Sequence, residues 1–158
     1  MSANGKLTAA RLWIVIARCQ RALALAIERS IAELGLCTSD FMVLEALLHK
    51  GPLTITEIQA KVLLASGSMT AAVDRVESKG LVVRKTTAKD RRARVLELTP
   101  EGRRLIEDAY SQHAEHLEKL MSSLNEGEKK QVYVLMKKLG QSLAATLGRP
   151  DAEREREQ

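Results

Sequence analysis

Residues 85 to 102, KTTAKDRRARVLELTPEG, concentrate the side chains of this chain that are best suited to bind an anion. Lys89, Arg91 and Arg92 surround Asp90 in one short stretch, and alternating apolar residues follow. Guanidinium and ammonium groups donate strong hydrogen bonds to phosphate oxygens, and Arg also enters narrow minor grooves of DNA. This spacing predicts a basic loop whose partner is a polyanion.

The charge distribution points to the same part of the chain. The 158 residues carry a formal net charge of +5. Residues 61 to 104 hold eleven Lys and Arg against five Asp and Glu, an excess of six, whereas the remainder has an excess of one negative charge. Such a local excess is typical of a nucleic-acid surface. Aromatic residues make up only 3% of the chain, which is too few for the base stacking that single-stranded nucleic acid requires.

A group of small polar residues lies upstream, at residues 66 to 70, with the sequence SGSMT. We predict that Ser66 caps a helix here, whose first turn approaches base edges closely because its side chains are short. The free N–H groups and the dipole at that helix end also favour phosphate. Arg75, one to two turns further along, is predicted to reach the DNA backbone.

Helices must position most of these residues. The apolar spacing and the capping signals predict successive helices over 8–33, from Cys37 or Thr38 to Gly51-Pro52, from the Thr54/Glu57 capping box, and from Ser66 to Gly80. Two short helices with a tight joint form a helix-turn-helix pattern.

Two short runs of high β propensity follow, LVVRK at 81–85 and ARVLEL at 93–98, and they predict a hairpin closed by the basic loop. Thr99 and Pro100 then mark the start of another helix, and Asn125 with Glu128 caps the last one. A hairpin directly after a helix-turn-helix is the arrangement of a winged helix.

The predicted fold class is therefore mainly α with a small β-hairpin wing (α+β). We predict a DNA-binding lobe at 37–99, dimerisation helices at 1–36 and 100–148, and a disordered charged tail at 149–158. The first helix is apolar around most of its circumference, so a second chain is expected to cover part of it.

From Leu34 to Arg104 the sequence resembles the MarR family of bacterial winged-helix regulators. The motif Asp90-x-Arg92 followed by LTPEG carries the resemblance, and LLASGSMTAAVDRVESKGLVVR is most similar to the branch with hydroquinone- and catechol-responsive repressors. The resemblance implies a homodimer built from the first, fifth and sixth helices. It also implies a pseudo-palindromic DNA site, and release on binding a small molecule or on oxidation.

The same resemblance assigns roles to individual residues. The residues assigned to DNA contact are Ser66, Gly67, Ser68, Met69, Thr70, Arg75, Lys89, Arg91 and Arg92. Arg92 would be the minor-groove arginine of the wing. Asp90 would brace the wing tip by pairing with Arg94, and Asp74 would tie the recognition helix, which begins near Ser66, to a basic neighbour.

Three routes of sensing stay open, and a ligand cleft is the first. Family members bind phenolic molecules where the first, second and fifth helices meet the winged lobe. The residues predicted to line such a cleft are Trp13, Phe41, Met42, His49 and His113. Core and dimer packing is the other interpretation of each of these residues.

Oxidation of a cysteine is the second route. Peroxide-sensing members carry a reactive Cys in the pattern L-C-F near the start of the first helix, where this chain has Leu12-Trp13-Ile14. Cys19 is expected to be an inert core thiol. Cys37 is a redox candidate because thiols at helix N-termini can be reactive. The alternative is that Thr38 caps the helix instead and Cys37 is merely tolerated.

A metal is the third route. His113 and His116 share a helical face, and His49 or Cys37 would have to join them. Zinc sites usually have four ligands, so we predict no metal site and no cofactor, with both histidines at the border of the dimer interface.

These patterns together predict a dimeric transcription regulator, a repressor in preference to an activator, with double-stranded DNA, a second copy and a small-molecule effector as partners. The alternative is a winged-helix module that docks on protein, which has no reason to concentrate positive charge near the wing. No nucleophile–base pair or phosphate loop is evident, so an enzyme is not predicted. The lack of a secretory signal or a membrane-length apolar run predicts a cytoplasmic protein without a membrane partner.

Overall fold

The computed structural model describes residues 6–61, 66–86 and 94–146, without the side chains of 66–68 and 86. The predicted wing tip at Lys89 to Arg92 and the predicted disordered tail lie outside the described residues.

The described part of the chain contains six helices and three strands. The helices are α1 (Ala9–Glu33), α2 (Thr38–Lys50), α3 (Ile55–Lys61), α4 (Ser66–Ser78), α5 (Pro100–Leu120) and α6 (Glu126–Thr146). The strands are β1 (Leu53–Thr54), β2 (Val82–Thr86) and β3 (Arg94–Leu98). The predicted fold class, mainly α with a small β-hairpin wing, is confirmed.

The three strands form one antiparallel sheet in the order β1-β3-β2. Val82 pairs with Leu98, and Leu53 of β1 pairs with Leu96 on the other side of β3. These four residues are buried, whereas Lys85 and Glu97 on the opposite face form an ion pair of 2.7 Å. The sequence predicted β2 and β3, but the two residues of β1 are too few to produce an alternating pattern.

Short-range capping fixes the starts of α3 and α6 as the sequence predicted. The Thr54 N–H donates to Glu57 Oε2 at 2.7 Å, and the Glu57 N–H donates to Thr54 Oγ1 at 3.2 Å, which completes the capping box of α3. Asn125 and Glu128 exchange the same pair of bonds at 2.9 and 3.0 Å and begin α6.

The start of α5 is held against the turn that follows α4. Thr99 Oγ1 accepts from the Gly102 N–H at 2.9 Å and donates to the Gly80 carbonyl at 2.8 Å. Gly80 has a φ of +70°, the left-handed conformation that ends helices. A Cβ on Gly102 would lie 1.9 Å from the Leu81 carbonyl oxygen. The glycine of LTPEG is therefore needed for close packing of α5 on this turn.

A single hydrophobic cluster lies beneath these elements. It includes the apolar side of α2, the inner face of the sheet and Ile106 and Ala109 of α5. From α4 the cluster takes Met69, Ala72, Val73 and Val76, which have the i, i+3, i+4, i+7 spacing of one helical face. The core thus fixes which side of α4 faces outward.

The chain divides into two compact units, Met1–Leu117 and Glu118–Gln158. The second unit contains the last residues of α5 and the whole of α6. No residue of α6 is buried. Large apolar side chains are exposed along α6 at Val132, Tyr133, Val134, Leu135, Met136, Leu139 and Leu143. Within the first unit, α1 also exposes Leu12, Trp13, Ile14, Val15 and Leu25. Among the described helices, none is long and apolar enough to cross a membrane.

Candidate nucleic-acid interface

The outer face of α4 is where the sequence predicted DNA contacts. Ser66, Gly67 and Ser68 form its first turn, and Thr70, Asp74 and Arg75 are exposed. Ser66, predicted as the cap, is the first residue of α4, and the residue before it lies outside the described ones. The free N–H groups of this turn remain suited to an anion.

Met69 was predicted to contact DNA, and this prediction is wrong. Its side chain is 0% exposed and belongs to the hydrophobic cluster. Ser68 and Thr70 flank it in the sequence, but a helix turns by about 100° per residue and so places Met69 on the inner face. Met69 therefore anchors α4 on the core and takes no part in the outer surface.

Arg75 was predicted to reach the DNA backbone, but its guanidinium is engaged within the protein. Nε and Nη2 of Arg75 donate to Oδ1 of Asp40 at 3.0 and 2.7 Å, and Nη2 also donates to Ser39 Oγ at 2.8 Å. Lys79, just after α4, donates to Oδ2 of Asp40 at 3.3 Å. These bonds join the start of α2 to the end of α4.

Asp40 is the centre of this group, and the sequence analysis did not identify it. Its side chain is 1% exposed. Burial alone would raise the pKa of Asp40, but hydrogen bonds from Arg75, Cys37 and Lys79 outweigh burial and lower the pKa. The only signal in the sequence was an acid in the first turn of a helix, where it also favours the helix dipole.

A second ionic group joins α4 to the sheet. Nη2 of Arg84 on β2 lies 2.6 Å from Oδ1 of Asp74, and Nη1 of Arg84 lies 3.1 Å from Oε2 of Glu77. The basic neighbour that was predicted for Asp74 is thus Arg84. The pair is partly exposed and contributes little on its own, but it fixes the side of α4 nearest the hairpin.

A groove of about 310 Å³ separates α4 from the hairpin strands. Its lining residues are Ile55, Thr70, Asp74, Arg84, Arg94 and Leu96. Arg94 was predicted to pair with Asp90, and that pairing lies outside the described residues. Arg94 pairs with Thr86 at the end of the hairpin strands nearest the predicted wing loop, and it lines the groove together with Thr70 and Asp74 of α4.

The residues predicted to line a ligand cleft differ in their burial and in their contacts. Phe41 is buried and meets the His113 ring edge-on, with centroids 5.0 Å apart. His49 meets Tyr110, which the sequence analysis missed, at 4.6 Å. Met42 is half-buried, and Trp13 is 64% exposed. Two ring contacts therefore join α2 to α5, and Trp13 takes part in neither of them.

His113 and His116 have polar atoms without a partner. His113 is 9% exposed. The Nδ1 atom of His113 and the Nε2 atom of His116 are buried and have no hydrogen-bond partner among the described residues. Burial, followed by the nearby charge of His116, lowers the pKa of His113 below 6.5. In the part of the chain that the structure describes, no group of three or more His, Cys, Asp or Glu could hold a metal ion.

Both cysteines are free and exposed. Cys19 is therefore not the core thiol that was predicted, because it lies on a side of α1 that is exposed among the described residues of the first unit. Cys37 is the N-cap residue of α2, and its side chain makes no capping bond. Thr38 is the first residue of α2, so the alternative in which Thr38 caps is wrong. The Cys37 sulfur lies 3.3 Å from Ser39 Oγ and 3.4 Å from Arg75 Nη2.

Comparison with solved structures identifies the architecture. BpsR of Bordetella bronchiseptica, whose DNA binding is regulated by 6-hydroxynicotinic acid, superposes with a TM-score of 0.75 at 20% identity, over 86% of this chain and 98% of BpsR. A mutant MarR from E. coli in complex with operator DNA superposes with a TM-score of 0.72 at 22% identity, over 81% and 92% of the two chains. These likenesses show a shared winged-helix fold.

Sequence comparison gives the family. Residues 37–93 match the MarR family. The HTH-type transcriptional regulator MhqR of Bacillus subtilis is 36% identical over 130 residues, which cover 82% of this chain and 90% of MhqR. Relatives of this kind are transcriptional regulators and not enzymes. With the helix-turn-helix, the antiparallel hairpin and this identity over most of both chains, the chain belongs to the MarR family of DNA-binding transcriptional regulators.

Proposed function

We propose that the chain is a homodimeric repressor that binds a pseudo-palindromic operator and leaves it when a small aromatic molecule binds. The observation that carries the DNA part is the outer face of α4. The first N–H groups of α4 have no partner within the helix, and the hairpin beside it precedes the segment with Lys89, Arg91 and Arg92. With DNA as its partner, the protein would act in the cytoplasm.

Each part of this surface has a different role on DNA. Ser66, Gly67, Ser68 and Thr70 would meet base edges in the major groove, where short side chains permit close approach. The arginines of the wing loop would meet phosphates and the adjacent minor groove. Phosphate contacts position the protein and base contacts supply sequence preference, so the two surfaces together would give a specific complex.

The uncovered apolar surface of α6 supports a homodimer. A face with Val132, Leu135, Met136 and Leu139 exposed is unfavourable in water and suits a self-complementary interface. Two copies related by a two-fold axis would present two α4 helices to half-sites about 10 bp apart. The MarR mutant bound to operator DNA is an example of this fold on DNA.

The contact between α2 and α5 supports an aromatic effector. Nδ1 of His113 and Nε2 of His116 are buried without partners, and a hydroxyl or carboxyl group could satisfy them. The regulation of BpsR by 6-hydroxynicotinic acid supports a hydroxylated aromatic molecule, which agrees with the phenolic or quinone-like class predicted from the sequence. To change DNA affinity, such a molecule must bind one dimer geometry more tightly than the other.

Oxidation at Cys37 is the second candidate signal, because the thiol is exposed and lies 3.4 Å from Arg75 of α4. Labelling of the native protein with a thiol reagent tests it, with Cys37→Ser as the control. If Cys37→Ser loses no labelling, Cys37 is not the reactive group.

A footprint on the DNA upstream of the protein's own gene, in moderate salt, tests the DNA part. We expect protection of a palindrome of about two helical turns. Arg92→Ala should weaken binding and lower the slope of log affinity against log salt by about one unit. Arg29→Ala, an exposed arginine of α1, is the matched control and should leave the slope unchanged. Failure to bind either this DNA or random DNA would favour a protein-docking module instead.

A further inference from the structure

Asp40 is a buried carboxylate whose two oxygens are both engaged by residues of α4 or its end. Oδ1 accepts two bonds from Arg75, and Oδ2 accepts one from Lys79. Ser39, the preceding residue on α2, accepts a further bond from Arg75 at 2.8 Å. The first turn of α2 therefore holds the last turn of α4 through several charge-assisted bonds, which are stronger than neutral ones.

The geometry of the attachment restricts more than the distance between the two helices. Arg75 and Lys79 are four positions apart and so lie on the same side of α4. Attachment at both positions adds to the core packing of Val73 and Val76 in opposing rotation of α4 about its axis. The first turn of α4 lies at the other end of the same 13-residue helix, so a small rotation at Arg75 would reorient Ser66 to Thr70.

We propose that Asp40 is a positioning residue for DNA recognition, which holds Arg75 and Lys79 so that α4 presents its first turn to the DNA in one orientation. The proposal rests on the proposed DNA-binding function. Under this proposal Arg75 does not contact the DNA backbone as predicted from the sequence. Its guanidinium already binds Asp40, Ser39 and Cys37, so it joins two helices of the protein.

Electrostatics and positioning predict opposite effects of removing the Asp40 charge. Asp40→Asn makes the chain more positive beside a DNA-binding helix and frees two cations, so electrostatics alone predicts tighter binding to any DNA. Positioning predicts weaker binding to the specific site, because a misdirected helix loses base contacts, while binding to unrelated DNA stays equal or increases. The sign of the change on specific DNA therefore decides between them.

The test begins with a duplex that the full-length wild-type protein enriches from a random pool. Affinities for this duplex and for a scrambled one are then measured at several salt concentrations. We expect Asp40→Asn to lose about tenfold or more on the enriched duplex and nothing on the scrambled one. Glu45→Gln, which removes another carboxylate from α2 that has no ion pair with α4 among the described residues, is the matched control and should behave as wild type.

Arg75→Gln distinguishes the two possible roles of Arg75 in the same assay, which are positioning α4 through Asp40 and contacting a DNA phosphate. A positioning role predicts the same selective loss with an unchanged salt slope. A phosphate contact predicts equal loss on both duplexes and a slope lower by about one unit, and that result would overturn the proposal. Arg75→Lys, which retains the ion pair with Asp40, should recover part of the lost affinity.

Hydrogen exchange of the native protein without DNA supplies a readout that does not depend on an operator. In Asp40→Asn we expect faster exchange of the α4 amides, with protection in β3 retained, which also shows that the variant is folded. Unchanged α4 exchange together with wild-type affinity for the enriched duplex would overturn the role of Asp40 and leave the proposed function intact. If the wild-type protein enriches no duplex, the proposed function itself fails.

Discussion

Helices α4 and α6 both carry apolar residues at helical spacing, yet these residues are buried in α4 and exposed in α6. The 13 residues of α4 bury four apolar side chains and connect to α2 and β2 through ion pairs. The 21 residues of α6 bury none. The first unit is therefore sufficient to build and orient the surface proposed to meet DNA, whereas the apolar side chains of α6 are exposed, and we propose that a second copy covers them.

The largest expected effect is on dimerisation through the exposed apolar face of α6. Leu135→Glu places a charge on the exposed apolar face of α6, twice in every dimer. If a second copy covers this face, the loss of two buried leucines costs about 3–6 kcal/mol, which weakens dimerisation more than a hundredfold. Sedimentation equilibrium measures this, and operator affinity should decrease with it. Lys130→Glu, another charge change on α6, is the control, and an unaltered dimer in Leu135→Glu would show that α6 is covered by something else.

A substitution in the core that orients α4 should lower the stability of the single chain and not its dimerisation. Leu44→Ala empties a fully buried position on α2 and should lower the free energy of unfolding by about 2–5 kcal/mol. Urea denaturation followed by circular dichroism measures the change. Leu7→Ala, at a 73% exposed position, is the same substitution and should change stability by less than about 0.5 kcal/mol. Equal losses in both variants would mean that α2 is not the centre of the core.

A smaller effect is expected at the capping box of α3. Thr54→Ala removes the oxygen that accepts the Glu57 N–H and should cost about 1 kcal/mol. Thr56→Ala, an exposed position in the same helix, is the matched control. Thermal unfolding of both variants tests this. Because Ala is a better helix former than Thr, Thr56→Ala should cost nothing, and a loss as large as that of Thr54→Ala would show that capping is not the cause.

The smallest effect is expected for the pH dependence of stability. The pKa of His113 is lowered from 6.5 by burial and by His116, so the unfolded chain binds a proton more readily than the folded chain. The free energy of unfolding should therefore decrease as the pH falls below 6.5, until it passes the lowered pKa. In His113→Leu the decrease should be smaller, as measured by urea denaturation at a series of pH values.

Ile58→Ala provides the control for that series, because it removes a fully buried side chain of α3 and no proton-binding group. It should lower stability at every pH and leave the dependence on pH unchanged. A wild-type pH dependence in His113→Leu would assign the effect to another group.

Local rules accounted for most of the fold and part of the candidate site. Capping pairs such as Thr54 with Glu57, and the stop at Gly80, depend on residues a few positions apart, so the sequence is sufficient to locate them. The β2–β3 hairpin follows from alternation and turn chemistry. The strand β1 was missed because two residues carry no period, and pairing with β3 alone defines it.

Site residues were less predictable wherever a role depends on which side of a helix faces inward. Met69 lies among short polar residues in the sequence, yet the packing of α4 turns it into the core. Arg75 resembled a phosphate ligand because its partner, Asp40, is 35 positions away. Cys19 resembled a core thiol because its neighbours are apolar, but its side chain is exposed among the described residues.

The sequence by itself determined the order of the elements, the concentration of positive charge between residues 61 and 104, and membership of the MarR family. The first two follow from composition or from contacts within a few residues, and the family follows from similarity to known regulators. Only the tertiary structure decided that Asp40 holds Arg75 and Lys79, that Arg84 holds Asp74, and that no residue of α6 is buried. Those facts depend on which distant residues meet in the folded chain, and a buried carboxylate differs from an exposed one only once the fold has removed the water around it.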